Sequence, residues 1–474
     1  MKQLSDSELL SNFLHVQQSA KLSDDGERCL IPPHPALKER LIAELERLKN
    51  TSNDNIISNK LTLGPNNQAG FNDGLIYPGN TFELGTPLGV ARSAAAVQAP
   101  LRGALNILVV LVEFPGMPMQ TPPQHFQDLF FSTKVVATGS VNEYYQEVTN
   151  SLISIQGQVL GPIMMPHPLS YYANNASGTG NSAPNARNLA YDTAAAVGAL
   201  FNYAPFDNNK DGYVDAFVVV HAGPGAEVTG STGDIWSHKW VLPSGAYPAS
   251  GTTKVYGYLT VPEDCRLGVC AHELGHLLFG FPDLYDTTYT SNGVGDWCLM
   301  GGGSWNNNGL TPAHPNAWCK CNQNWVKINN PTTNQTIVIK DVKSGFEVFK
   351  LWKNGRSGSE YFLAENRQRA KFDSHLPGDG LLVWHVDESI PDNSNKAHFK
   401  VALLQADGLK QLEMSPAPGT SGDDGDPYPG STHNTNLTAA TNPNTLSYAG
   451  LNTSVQITNI SIKGHDIKAD LTII

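Results

Sequence analysis

Apolar residues run without a break through Ile107–Leu111, the pattern of a strand covered on both faces, so a central strand is expected there. Ser151–Leu160 alternates and reads as a second strand. Asp215–His221 reads as another buried strand, Asp234–Val241 as an edge strand, and Val255–Val261 as the strand leading into the next helix. Between them lie helical signals. Ser140-Val-Asn-Glu143 is a capping box opening a helix through Val148, and Pro184–Leu200 is a second helix with the proline in its first turn. Upstream, Pro35 opens a helix whose Leu37, Leu41, Ile42, Leu45 and Leu48 form one apolar stripe. From about Thr333 the texture changes to short β-branched and aromatic runs (Glu347–Trp352, Tyr361–Glu365, Leu381–Val386, Lys400–Leu404, Val455–Ile460) between Gly, Pro, Asn and Asp. The expected organisation is an extension over 1–103 with one amphipathic helix, an α+β domain over 104–330, and an all-β, sandwich-like domain over 331–474.

Composition narrows the field. Over 474 residues the formal charge is −12, which argues against nucleic acid or an anionic membrane as partner and suits divalent cations. No run approaches the ~18 apolar residues of a membrane span, and the N-terminus, MKQLSDSELLSNFLHVQQS, shows no secretory signal. The six cysteines, Cys29, Cys265, Cys270, Cys298, Cys319 and Cys321, are too few for a disulfide scaffold and contain no CxxC zinc ribbon.

The densest chemistry is in Ala271–Asp283, AHELGHLLFGFPD. Its HExxH spacing puts His272 and His276 on one helical face, able to hold one zinc ion, while Glu273 can serve as general base toward a water there. Gly280 and Pro282 stop the helix, and the chain turns back so that Asp283 or Asp286 can supply a third ligand. Two acidic stretches suggest calcium. Asp207, Asn209, Asp211, Tyr213 and Asp215 occupy positions one, three, five, seven and nine of a calcium loop with Gly212 at six. The twelfth position is Val218, so the loop is truncated and competes with an ordinary solvated turn. Gly422–Asp426 clusters Asp423 and Asp426, with Asp407 upstream, and such carboxylates repel unless a cation or hydrogen bonds compensate.

HELGHLLFGFPDLYD and GVGDWCLMGGGSWN resemble the immune inhibitor A family of zinc metallopeptidases, relatives of the metzincins. LNILVVLVEFPGMP, SVNEYYQEV, MPHPLSYYA, DGYVDAFVVVHAGPGAE, DIWSHKW, EYFLAENRQR, LPGDGLLVWHVDE and GDDGDPYPGS resemble that family's segments in the same order, so the likeness runs from about Cys29 to the end. The resemblance implies a zincin-like catalytic domain, zinc, protein substrates and secretion, with Glu273 as base and Asp283 as third ligand. It also implies that Met300 packs beneath the metal and that Ile235–Trp240 is an edge strand for extended substrate. The family pattern is HExxHxxGxPD, whereas here Phe279 stands in the glycine position and Asp283 comes one residue late, a rotation of about 100° that the Gly280 turn must undo.

His221, His238, Tyr285 and Tyr428 are candidate transition-state donors, each with a structural alternative. Residues 1–103 read as a pro-region, with Cys29 a candidate inhibitory zinc ligand. The rival reading is a catalytically impaired relative that acts as a calcium-stabilised binding or adhesion protein.

Overall fold

The Val- and Leu-rich run from Leu105 to Val112 lies within β1 (Gly103–Glu113), whose residues from Ile107 to Val112 are all buried. β2 (Ile153–Met164) and β3 (Phe217–His221) pair with it in parallel, one along each edge, which makes β1 an interior strand of the sheet. The computed structural model describes residues 5, 6, 8–12, 31–51, 100–180, 182–198 and 200–474, so Cys29 lies outside the described residues. Two compact units are distinguished, Met1–Tyr145 with Ile153–Pro282, and Gln146–Leu152 with Asp283–Ile474.

In the first unit β4 (His238–Val241), a hairpin of β5 (Tyr247–Ser250) and β6 (Thr253–Val255), and β7 (Gly257–Pro262) follow. The main sheet runs β2-β1-β3-β7-β4, parallel except that β4 is antiparallel to β7 at the edge. The edge strand is shorter than expected, because Ile235 makes only an isolated bridge to Gly225 and continuous pairing starts at His238.

α1 (Pro35–Thr51) buries Leu37 and Leu41 and leaves Ile42 half-buried; the Leu45 and Leu48 side chains are outside the described set. α2 (Pro123–Phe131) buries Phe126, Leu129 and Phe130 and has no counterpart in the elements expected from the sequence. α3 (Val141–Val148) opens on the expected capping box, with Glu143 N–H donating to Ser140 Oγ and Ser140 N–H to Glu143 Oε2.

α4 is Ala186–Val197, shorter than 184–200. Asn185 is its cap, accepting from Arg187 N–H while Asn188 accepts from Asn185 N–H, so Pro184 stands outside the helix and not in its first turn. α5 (Leu267–Phe279) is buried along its whole length.

The second unit is β-rich. β8 (Lys327–Asn329), β10 (Glu347–Leu351), β11 (Glu360–Arg367), β12 (Gly380–Asp387) and β13 (Val401–Leu403) form one sheet in the order β13-β12-β11-β10-β8. β9 (Gln335–Ile339), β14 (Gln456–Lys463) and β15 (Asp466–Thr472) form another, ordered β14-β15-β9. Ile339, Leu351, Phe362, Ala364, Val383, Ile457, Ile467 and Leu471 from both sheets share one apolar core.

Alternation along β11 turns Glu365 and Arg367 to the opposite face from Phe362 and Ala364. There they are buried in an ion-paired group. Arg367 clasps Asp373 through Nε (2.8 Å) and Nη2 (2.6 Å), and Glu365 accepts from Lys320 Nζ at 3.1 Å and from the Trp384 indole at 3.0 Å.

Candidate metal centre

α5 carries apolar residues on every side and is accordingly enclosed, which makes His272, Glu273 and His276 buried residues on a rigid element. The four-residue spacing stacks the two imidazoles, and their Nε2 atoms lie 3.0 Å apart. Two nitrogens on one tetrahedral zinc, each at about 2.05 Å, would be about 3.3 Å apart, close to what is observed. The Nδ1–H of His276 donates to the carbonyl of Phe281, which fixes the tautomer and leaves the Nε2 lone pair for a ligand. That carbonyl was not foreseen, since nothing in the residue type of Phe281 announces a backbone role.

The extra residue before Asp283 is absorbed in a widened last turn. Gly280, in the left-handed region at φ 60° and ψ 34°, shares its N–H between the carbonyls of His276 and Gly275, and Phe281 N–H returns six residues to Gly275. The chain then brings Asp283 back. One carboxylate oxygen of Asp283 and one nitrogen each of His272 and His276 lie within 4.8 Å of one another, all three residues buried. Two nitrogens and one carboxylate oxygen make a donor set that suits zinc, leaving a fourth position for water.

Asp286, the other carboxylate considered, is occupied elsewhere. It accepts from Thr288 N–H and Oγ1, Thr290 Oγ1 and Ser291 Oγ. Leu284, next to Asp283, is anchored by its N–H to the Met300 carbonyl (2.8 Å) and by its carbonyl, which accepts from Val294 N–H (3.0 Å) and Asn393 Nδ2 (2.8 Å). Met300 is fully buried, and its carbonyl is thus part of what holds the turn. A second residue not foreseen is Tyr145, whose hydroxyl donates to the Ala271 carbonyl at 2.6 Å while its ring packs on Phe279. The cluster of aromatics in SVNEYYQEV was the only available sign.

Of the candidate donors, His238 uses both ring nitrogens on the Trp236 carbonyl (2.7 Å) and the Tyr258 hydroxyl (3.0 Å). His221 is buried with Nδ1 on the Ala222 carbonyl, and burial pushes its pKa down to about 4, so it is neutral near pH 7. Tyr285 packs beside Tyr289, and Tyr428 is fully buried in the β-rich unit.

In the loop 207–215 the acidic oxygens serve the loop itself. Asp207 accepts from the N–H groups of Asp211 and Gly212, Asp211 from that of Tyr213, and Asp215 from Asn208, while Asn209 accepts from Asp211 N–H. Lys210 Nζ donates to the Asp207 carbonyl at 2.8 Å. Asp423 and Asp426 are brought together with Asp407, their oxygens within 4.8 Å.

Residues 105–332 match the model of the immune inhibitor A peptidase M6 catalytic domain. The chain is 31% identical over 271 residues to the pre-pro-metalloprotease PrtV of Vibrio cholerae serotype O1, covering 45% of this chain and 29% of that protein. It is 34% identical over 194 residues to immune inhibitor A of Bacillus thuringiensis subsp. alesti, covering 34% of this chain and 28% of that one. The matches therefore span less than a third of the length of these curated relatives. Over residues 105–332, a span that includes His272, Glu273, His276 and Asp283, the chain is thus similar to the catalytic domain of the immune inhibitor A peptidases.

Proposed function

We propose that this chain is a zinc-dependent endopeptidase acting on protein or peptide substrates, with the first unit and the turn after α5 forming a zincin-like catalytic domain. The observation that carries the reading is the convergence of His272, His276 and Asp283 at the end of a buried helix that also bears Glu273. The names of the relatives, a metalloprotease and an immune inhibitor, agree with it. Zinc, when bound, supplies a Lewis acid and lowers the pKa of a coordinated water to roughly 7.

The protein's own part is to hold two neutral imidazoles and a carboxylate at one point and to exclude bulk water from them. The Phe281 carbonyl keeps the Nε2 lone pair of His276 available. Glu273, adjacent to His272 on the same helix, takes the proton from the attacking water and passes it to the leaving amine. Hydrolysis then balances, with the peptide C–N bond exchanged for C–O and the amine carrying the proton away.

The N-terminal region is read as a pro-region. Ile31 N–H donates to the Ser237 carbonyl at 3.4 Å, Trp236 Nε1 to the Ile31 carbonyl at 2.9 Å, and His34 N–H to the Glu227 carbonyl at 2.8 Å. The segment therefore lies along residues 236–237, within the stretch proposed to receive extended substrate, and would compete with it. Export fits the "pre-pro" name of the Vibrio relative. Incubating denatured protein with the zinc-loaded chain, before and after removal of residues 1–100 and with or without a zinc chelator, tests all of this. New peptide termini that require zinc and increase on truncation are expected. Absence of cleavage in every arm would leave the impaired-relative reading.

A further inference from the structure

Away from the histidine pair, the β-rich unit gathers three carboxylates, Asp426 buried and Asp407 and Asp423 half-buried. One oxygen from each of Asp407, Asp423 and Asp426 lies within 4.8 Å of the others. Among the described residues no Lys, Arg or His is within ion-pair distance of any of them. Their hydrogen bonds consume only part of their capacity. Asp426 Oδ2 accepts from the Trp297 indole (2.9 Å) and Asp423 N–H (3.1 Å), Asp423 Oδ1 from Gly425 N–H (2.7 Å) and Oδ2 from Gln411 Nε2 (2.7 Å), and Asp407 Oδ1 from Leu409 N–H (2.9 Å).

What remains points to a ligand. Asp426 is 1% exposed, yet its Oδ1 is buried without any hydrogen-bond partner. The Gln411 Oε1, on the amide whose nitrogen is bonded to Asp423, is likewise buried and unmet. Tyr428, fully buried, has an unmet hydroxyl, and burial together with the charge of Asp407 raises its pKa. A buried acceptor left unmet is destabilising, more so when charged, so two such oxygens beside mutually repelling carboxylates form an arrangement that a cation would relieve. Space is reserved for it. A Cβ at Gly425 would lie 2.7 Å from Asp407 Oδ2 and 3.0 Å from Asp423 Oδ1, so any other residue there would push into the place where these oxygens converge.

We propose that Asp407, Asp423 and Asp426, with the Gln411 side-chain oxygen, form a calcium site in the β-rich unit. Oxygen-only donors at high negative charge select a hard cation over zinc, and calcium's six to eight coordination positions are completed by water. The loop brings residues 407 and 411 to residues 423 and 426, so the ion ties a long connection to the sheet that contains β12, where Leu381 and Tyr428 exchange backbone hydrogen bonds. The site is independent of the peptidase reading. Its rival is a proton, because burial and then the neighbouring carboxylates push Asp426 up to about 7.

The test is calorimetric titration of the zinc-loaded full chain, freed of calcium, with calcium chloride and separately with magnesium chloride, alongside thermal melts. One equivalent of calcium should bind, raise the melting temperature, and lose at least ~10-fold in affinity in both D426N and D407N, as expected when one charged ligand is removed. D211N, in the other acidic loop, should bind as wild type. Should D426N fail to fold, D407N decides. The proposal is overturned if millimolar calcium neither binds nor shifts the melt, if D407N keeps wild-type affinity, if only D211N loses it, or if magnesium binds as tightly as calcium.

Discussion

Two buried polar groups in this chain are built differently. In the group around Arg367, every charge meets an opposite one. Asp373 is clasped through both oxygens by Arg367, joined by Lys343 at 3.4 Å, and it accepts from His314 N–H at 2.9 Å. In the group at the end of α5, by contrast, two imidazole nitrogens and a carboxylate oxygen converge, all within 4.8 Å of one another. A closed set of pairs is a structural device, while donors that converge on a point are arranged for something the chain does not itself supply. The lesson is that burial and charge do not mark a site. Direction does.

The sharpest way to break this comparison is Glu273→Gln, which should lower peptide turnover by roughly 10²–10⁴-fold while zinc content and melting temperature stay at wild-type values. Turnover close to wild type would remove Glu273 as the base. Next, Asp283→Ala should release zinc during dialysis that the wild type survives, as metal analysis would show, since two imidazoles alone make a weak site.

On the structural side, Arg367→Met leaves Asp373 buried without its main partner and should cost about 3–5 kcal/mol in urea unfolding. A loss under 1 kcal/mol would show the pairs to be dispensable.

The same group predicts a pH dependence. Burial alone would raise the Asp373 pKa, but Arg367, His314 and Lys343 outweigh it and hold the carboxyl well below the usual carboxylate range. A depressed folded-state pKa stabilises the fold above the unfolded value near 3.9, and that contribution is lost as pH falls toward the folded value. The stability gap between wild type and Asp373→Asn should therefore narrow on acidification below about pH 4, and a constant gap would contradict it.

The smallest effect is expected for Tyr145→Phe, which removes one hydrogen bond to α5 and should cost about 0.5–1.5 kcal/mol with zinc retained.

Much of the candidate metal centre was legible because its parts are close in sequence. Histidines four apart on a helix must share a face, and Gly280 announces the left-handed turn that ends it. The central strand was legible from Ile107–Leu111, and the capping box of α3 from Ser140 and Glu143, for the same reason: each is a local stereochemical or solvation constraint. The boundaries of α4 were less so, because Asn185 outcompetes Pro184 as the start only once its side chain can be seen to cap.

Sequence alone therefore determined the helix with its histidine pair and adjacent glutamate, the buried strands and the β-rich texture of the later chain, since these follow from spacing, periodicity and turn residues. Tertiary structure decided which carboxylate returned to the histidines, Asp283 and not Asp286, because that depends on a last turn widened by one residue. It also decided how each acidic stretch uses its oxygens, as Asp207 spends both of its own on nearby backbone N–H groups while Asp426, beside Asp407 and Asp423, keeps one oxygen buried and unmet. It paired Arg367 with Asp373 and brought Lys320 to Glu365 across 45 residues. Such meetings depend on which strands and loops pack together, and no local pattern of residue types encodes the distance between side chains far apart along the chain.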